Sequence, residues 1–263
     1  MKLFNLVPHS KYPEFYSICK NTGAHFFKPA KTREYKDSYF LDEFKAQYNK
    51  TYYEDEPNLR NLAVKRLSIL QKFLDPNGKK LLELGSAAGF FLSEAKKIGY
   101  IPKGVEISST EVEYARSLGL NVEKISFLEF STDEKFDIIC AFFVIEHFPD
   151  QEIIFEKIFS LLAPGGFVFL AIPSLYGPSY LTNPENWFEN HPSDHFVDYS
   201  PKSLEKIFQK FQSQIVFRGP MSYHPGRDLG WRGKFPAKYF YRILADMDCY
   251  GDTIQILARL DRK

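Results

Sequence analysis

Glu83, Gly85, Ser86, Ala87, Gly89 and Glu106 are the residues of this chain whose types and spacing point most directly to chemistry. Leu81-Leu82-Glu83-Leu84 reads as a buried strand. It ends in the small-residue turn Gly85-Ser86-Ala87-Ala88-Gly89, and an amphipathic segment opens at Phe90. Gly85 lets the strand turn without a Cβ clash, and the helix that follows offers unpaired N–H groups at its start. Open α/β sheets bind ligands at such strand ends. The turn lacks the Gly-Lys-Ser/Thr ending of a phosphate-binding loop, and Ala87 breaks the G-x-G-x-x-G fingerprint, so a nucleotide or adenosyl ligand is expected rather than nucleotide hydrolysis. Glu106 follows Gly85 by 21 residues, the spacing at which a carboxylate accepts both ribose hydroxyls of an adenine nucleotide. Three histidines could move a proton near neutral pH: His147, beside Glu146, and His191 and His195 in Asn190-His191-Pro192-Ser193-Asp194-His195. The His191 and His195 spacing suits a metal, but Pro192 interrupts any helix and a third firm ligand is missing, so no metal is expected.

The elements that must carry these residues alternate between apolar runs and amphipathic segments. Pro57 to Leu74 reads as a helix with Leu59, Leu62, Ala63, Leu67, Leu70 and Leu74 as its stripe. Strands are predicted at Lys79 to Leu84, Pro102 to Ile107, Val122 to Leu128, Phe136 to Phe143 and Phe167 to Ile172. Helices are predicted at Gly89 to Ile98, from Ser109 or Thr110 as N-cap to Leu118, and at Asp150 to Leu162. Ser174 to Val197 reads as a long irregular segment, followed by a helix at Ser200 to Phe211 and a strand at Gln214 to Arg218. Gly219 to Asp246 reads as irregular and aromatic, with a short helix near Ala237 to Leu244, before a final strand at Thr253 to Leu260. Strands interleaved with helices mean an α/β fold with a mostly parallel, doubly wound sheet. The chain divides into an N-terminal cap or extension at 1–55 and one main domain at 56–263, with insertions at about 174–197 and 219–246. The cap is crowded with Tyr35, Tyr39, Phe40, Phe44, Tyr48, Tyr52 and Tyr53, a pattern that suits a lid.

Lys and Arg number 34 against 33 Asp and Glu, so no broad field favours a nucleic-acid partner. Cys19, Cys140 and Cys249 have no short spacing and fit a reducing, cytoplasmic setting. No apolar run approaches the ~20 residues of a membrane span.

Glu83-Leu84-Gly85-Ser86-Ala87-Ala88-Gly89 resembles motif I of class I S-adenosylmethionine-dependent methyltransferases, E/D-x-G-x-G-x-G, with alanine at the middle glycine. Phe136 to His147 resembles that family's fourth strand and the loop beyond, and Leu162-Ala163-Pro164-Gly165-Gly166 its turn into strand five. The Glu146-His147 pair is similar to that of ubiquinone-biosynthesis-like small-molecule methyltransferases. The resemblance implies a Rossmann-like sheet of seven strands, order 3-2-1-4-5-7-6, with the last strand antiparallel. It implies S-adenosylmethionine as cofactor, S-adenosylhomocysteine as product, and a small-molecule acceptor methylated on oxygen rather than nitrogen or carbon. By the same resemblance Glu83, Gly85, Ser86, Ala87, Gly89 and Phe90 surround the methionine moiety and ribose edge. Glu106 holds the ribose, Ile107, Phe127 and Leu128 lie at the adenine, and Phe142 and Phe143 lie beneath the methyl group. His147, His195 and His191 are then the candidate bases. A monomer or homodimer is expected. A protein methyltransferase and a non-catalytic, cofactor-binding scaffold are the alternatives.

Overall fold

Apolar runs and amphipathic stretches form strands and helices in the order their periodicities require. The computed structural model describes residues 2–33 and 49–261. Tyr35, Tyr39, Phe40, Phe44 and Tyr48 of the expected lid lie outside the described residues. The described elements are β1 (Leu6–Pro8), β2 (Tyr16–Cys19), β3 (His25–Phe27), α1 (Glu56–Leu70), β4 (Lys80–Leu84), α2 (Phe90–Lys97), β5 (Ile101–Glu106), α3 (Ser109–Ser117) and β6 (Asn121–Lys124). They continue with β7 (Phe136–Phe142), α4 (Gln151–Leu161), β8 (Leu162–Pro173), α5 (Pro178–Thr182), α6 (Pro184–Glu189), β9 (Val197–Asp198), α7 (Pro201–Lys210), β10 (Ser213–Pro220), α8 (Tyr241–Asp248) and β11 (Thr253–Leu260).

The main sheet has seven strands in the order β6-β5-β4-β7-β8-β11-β10. Counted along the sheet's own chain order this is 3-2-1-4-5-7-6. Strand β11 runs antiparallel to both its neighbours, as expected for the last strand. The first residues of the chain build a second sheet, β1-β2-β3-β9, to which the far Val197–Asp198 segment adds an edge.

Packing groups the chain into two compact units. One comprises Arg33–Cys140 and Leu161–Ala163. In it β4 pairs in parallel with β5, setting Glu83 opposite Gly104 and Leu84 opposite Val105, and β5 pairs with β6. Its core includes Leu81, Leu82, Leu84 and Leu92, all fully buried. The other unit comprises Met1–Thr32, Ala141–Ser160 and Pro164–Lys263. Its core includes Phe155, Phe169, Tyr199 and Phe208.

Several local expectations need correction. Ser174 to Val197 is not irregular throughout, because it holds α5 and α6. Pro178 and Pro184 stand at their first positions, where a proline's missing N–H costs nothing, and Asn183 caps α6 by accepting from the Asn186 N–H at 3.4 Å. The third strand stops at Lys124, since Ser126 begins a turn in which its carbonyl accepts from the Glu129 and Phe130 N–H groups. The N-cap of α3 is Ser108, one residue before the expected pair. No helix among the described residues is long and apolar enough to cross a membrane.

Candidate functional site

The turn after β4 owes its shape to alternate left-handed residues. Gly85, Ala87 and Gly89 have φ of 62°, 44° and 77°. At Gly89 a Cβ would sit 2.6 Å from Leu120 Cδ1 and 3.1 Å from Ala115 Cβ, so this position tolerates only glycine. Gly104, across from Glu83, is equally constrained, because a Cβ there would meet Ser86 Oγ at 2.5 Å. Ala87 is the one side chain held in the left-handed region within the turn, a conformation that costs an L-residue roughly 1–2 kcal/mol. Ala87→Gly is expected to stabilise the protein by about 0.5–1 kcal/mol after glycine's own entropy cost, read as a rise of about 1–3 °C in melting temperature.

Glu106 ties this turn to the end of β5. Its Oε2 accepts from the Ala87 N–H at 2.9 Å, and its Oε1 from the N–H groups of Ile107 at 2.8 Å and Ser108 at 2.9 Å. A carboxylate has about four acceptor sites, so roughly one stays open for a ligand hydroxyl. Glu83 lies nearby and is fully buried. Burial holds its carboxyl well above the usual range, with the Arg66 charge pulling down and the Glu106 charge pushing up. Glu83 Oε2 and Ser86 Oγ are buried without hydrogen-bond partners. Orphaned polar atoms of this kind call for a partner the protein does not supply. Ile107 and Leu128 are exposed apolar side chains, whereas Phe127 is buried. Phe90 is also buried, stacked on Tyr52 with ring centroids 5.5 Å apart and capped by the Arg60 guanidinium. Tyr53 donates to Glu111 at 2.8 Å.

The other unit holds the histidines. His147 Nδ1 lies 3.1 Å from the Asp194 carbonyl oxygen and 3.5 Å from its Oδ2. Both are acceptors, so in the neutral ring Nδ1 carries the proton and Nε2 the lone pair. His195 stands edge-on to His147, centroids 4.7 Å apart, and burial lowers its pKa to about 4. Glu146 is buried, and neither carboxylate oxygen has a hydrogen-bond partner. Burial, helped by the Asp198 and Asp194 charges, raises its pKa to about 8. One ligand atom from each of Glu146, His147 and His195 lies within 4.8 Å of the others, a donor set of a size that could also receive a cation. The third donor missing beside His195 in the sequence is therefore Glu146, with His147 in the place given to His191. His191 does something else. Its Nε2 meets Asp198 Oδ2 at 2.8 Å and its Nδ1 the Pro192 carbonyl at 2.9 Å, so both nitrogens are turned to partners within the protein. Asp198 Oδ2 also accepts from the Tyr16 hydroxyl at 2.6 Å, and Trp187 Nε1 donates to that hydroxyl at 3.0 Å.

At the end of β7, Phe142 meets Phe169 edge-on at 5.5 Å. Phe143 follows with a φ of 60° and is partly exposed. A bulky side chain in the left-handed region is strained, and such strain gathers at functional sites. An open groove of about 510 Å³ lies beside α5 and α6, lined by Ser179, Asn186, Trp187, Asn190, Arg227 and Asp252 among others.

A family model described as a methyltransferase domain matches residues 58–216, more than half of the chain. The chain belongs to this methyltransferase family. It is a class I S-adenosylmethionine-dependent methyltransferase. Among curated relatives, a ubiquinone biosynthesis O-methyltransferase from Brucella ovis is 23% identical over 212 residues, covering 72% of this chain and 84% of that protein. One from Pasteurella multocida is 32% identical over 124 residues, covering 40% and 51%. Among solved structures, the magnesium protoporphyrin IX methyltransferase of Synechocystis PCC 6803 with bound SAH superposes at a TM-score of 0.58 with 12% identity, covering 86% of this chain and 97% of that one. A putative methyltransferase in complex with the Haloferax volcanii Trm112 activator superposes at 0.59 with 15% identity, covering 89% and 100%. These two likenesses concern the fold.

The cofactor of this methyltransferase is S-adenosylmethionine, and the turn fits it. The turn and its surroundings carry two orphaned polar atoms, a left-handed backbone and a carboxylate with acceptor capacity left over. Glu106 bonds directly to Ala87 within the Gly85–Gly89 turn that follows Glu83, and Ile107 and Leu128 are exposed apolar side chains. Phe90 and Phe127 sit in the packing beneath. Glu146, Asp194 and Asp198 were not singled out as site residues. The sequence signals among them were Glu146, through its neighbour His147, and Asp194, through the two histidines that flank it.

Proposed function

We propose that this methyltransferase methylates an oxygen of a small-molecule acceptor and that His147 takes the acceptor's proton. S-adenosylmethionine supplies the methyl group, activated on a sulfonium. Glu106 and the backbone of the Gly85–Gly89 turn hold and orient it, and Glu83 and Ser86 offer the polar contacts their buried atoms lack.

The observation that carries the oxygen reading is the ring orientation of His147. A hydroxyl must lose a proton as it becomes an ether. His147 is the candidate to take that proton, and the Asp194 carboxylate 3.5 Å from its Nδ1 stabilises the imidazolium that forms. His195 is neutral at working pH because burial lowers its pKa to about 4, so it adds no repelling charge beside that imidazolium. The ubiquinone biosynthesis O-methyltransferase relatives support an oxygen acceptor.

The test is a transfer assay with methyl-labelled cofactor against panels of hydroxylated aromatics and sugars. A methyl ether is the expected product. His147→Ala is expected to lower turnover about a hundredfold to a thousandfold while cofactor affinity stays put. Label appearing only on protein would replace this reading by protein methylation, and cofactor binding without any transfer would replace it by a scaffold role.

A further inference from the structure

The segment from Arg227 to Asp248 turns an unusual face to solvent. Its inner side is anchored: Tyr241, Ala245 and Tyr250 form a buried cluster with Tyr176 and Tyr223 against it. The loop's shape is tightly set, because a Cβ on Gly233 would fall 1.8 Å from the Asp228 carbonyl oxygen. Leu229 N–H donates to Thr182 Oγ1 at 3.1 Å and Gly230 N–H to Asp228 Oδ1 at 2.8 Å. The outer side carries Trp231, Phe235, Tyr239, Phe240, Ile243 and Met247, every one more than half exposed, with Phe235 at 81% and Tyr239 at 80%. On α8, Tyr241 and Ala245 are buried while Ile243 and Met247, four apart, share an exposed apolar face. Apolar side chains gathered this way mark an interaction surface.

The charges in the same segment say what would cover it. Arg227, Lys234, Lys238 and Arg242 are exposed. The exposed acids Asp246 and Asp248 are already bonded, to the Tyr223 hydroxyl and the Arg232 guanidinium. A two-fold contact with a second copy would lay this basic face on a face of the same sign. An anionic bilayer surface complements them, and aromatic side chains between basic ones are what the headgroup region accepts.

We propose that Arg227 to Asp248 docks this methyltransferase on anionic lipid surfaces, with Phe235, Tyr239, Ile243 and Met247 entering the headgroup layer and Lys234, Lys238 and Arg242 pairing with lipid phosphates. The protein is not held by a spanning helix in this arrangement, so binding is reversible and salt-sensitive.

Co-sedimentation of the full chain with phosphatidylcholine vesicles, with and without about one third phosphatidylglycerol, tests this. Partition is expected into the phosphatidylglycerol vesicles only, falling steeply as salt rises. Lys234→Glu with Lys238→Glu, and separately Phe235→Ser with Tyr239→Ser, are each expected to weaken it at least tenfold. The substituted side chains are exposed, so the melting temperature is expected to stay unchanged, and both variants serve as folded controls for each other. Absent or lipid-independent partition would overturn the proposal. So would light scattering that shows a dimer in the parent protein and a monomer in Phe235→Ser with Tyr239→Ser, which would assign the face to a second copy.

Discussion

Glu106→Ala is expected to weaken S-adenosylmethionine binding by at least about a hundredfold and to destabilise the protein by about 3 kcal/mol. The two losses share a cause. Glu106 accepts three backbone N–H groups, from Ala87, Ile107 and Ser108, and alanine leaves those donors unpaired in a buried place. Bonds to a charged acceptor are each worth ~1.5–3 kcal/mol, and the turn relaxes only in part. Ala87 then loses the contact that holds its left-handed conformation, so the cradle loosens as well as losing its carboxylate. Glu106→Gln separates the effects. Its oxygen can serve Ile107 and Ser108, but its amide NH2 must then face the Ala87 N–H, donor against donor. Thermal melting is expected to place Gln between the parent and Ala, and calorimetric affinity is expected to fall in both. Unchanged affinity in Glu106→Gln would mean that Glu106 only braces the turn.

Glu146→Gln is expected to change how stability depends on pH. The Glu146 carboxyl has its pKa raised by burial from an ordinary 4.5 to about 8 in the folded protein. The folded state therefore keeps a proton that the unfolded chain has released. Its contribution is fully present below 4.5 and is lost as pH rises through about 8, on the order of 5 kcal/mol over the whole window. His195 works the other way. Its folded pKa is lowered from 6.5 to about 4, so its contribution is present above 6.5 and lost as pH falls through about 4. The His195 slope opposes the Glu146 slope between about 4.5 and 6.5, and above that Glu146 acts together with Glu83, whose carboxyl burial also holds well above its usual range. Urea unfolding of the parent protein in a chelating buffer is expected to give a flat midpoint in mildly acidic solution and a falling one from about pH 6.5 to pH 9. In Glu146→Gln the fall should shrink to the part that the buried Glu83 carboxyl contributes, and the acid-side loss from His195 should stand out more. A parent-like fall in the variant would place the titrating group elsewhere.

What was legible in the sequence is what local backbone chemistry dictates. The turn after β4 needs left-handed residues at alternate positions, and Gly85 and Gly89 announce two of the three. Ala87 hides the third by paying its strain in place. The final strand is read to the residue, Thr253–Leu260, because its apolar run is bounded by Gly251-Asp252 and by charge. The short helices α5 and α6 were hidden because their prolines read as breakers, although a proline at the first position starts a helix. Glu146, Asp194 and Asp198 were hidden for a different reason. Their meaning depends on partners distant in sequence: Asp194 meets His147 across 47 residues, and Tyr16 meets Asp198 across 182. No periodicity or local motif encodes such a meeting.

The central claim is that the Glu83 to Gly89 turn and Glu106 form the cradle for S-adenosylmethionine. Isothermal titration of the full-length protein with S-adenosylhomocysteine tests it most directly, because the ligand fills the cradle without an acceptor being known. One site per chain with a dissociation constant of about micromolar order is expected, with the heat lost in Glu106→Ala. No detectable binding by the parent protein at about millimolar ligand would contradict the claim.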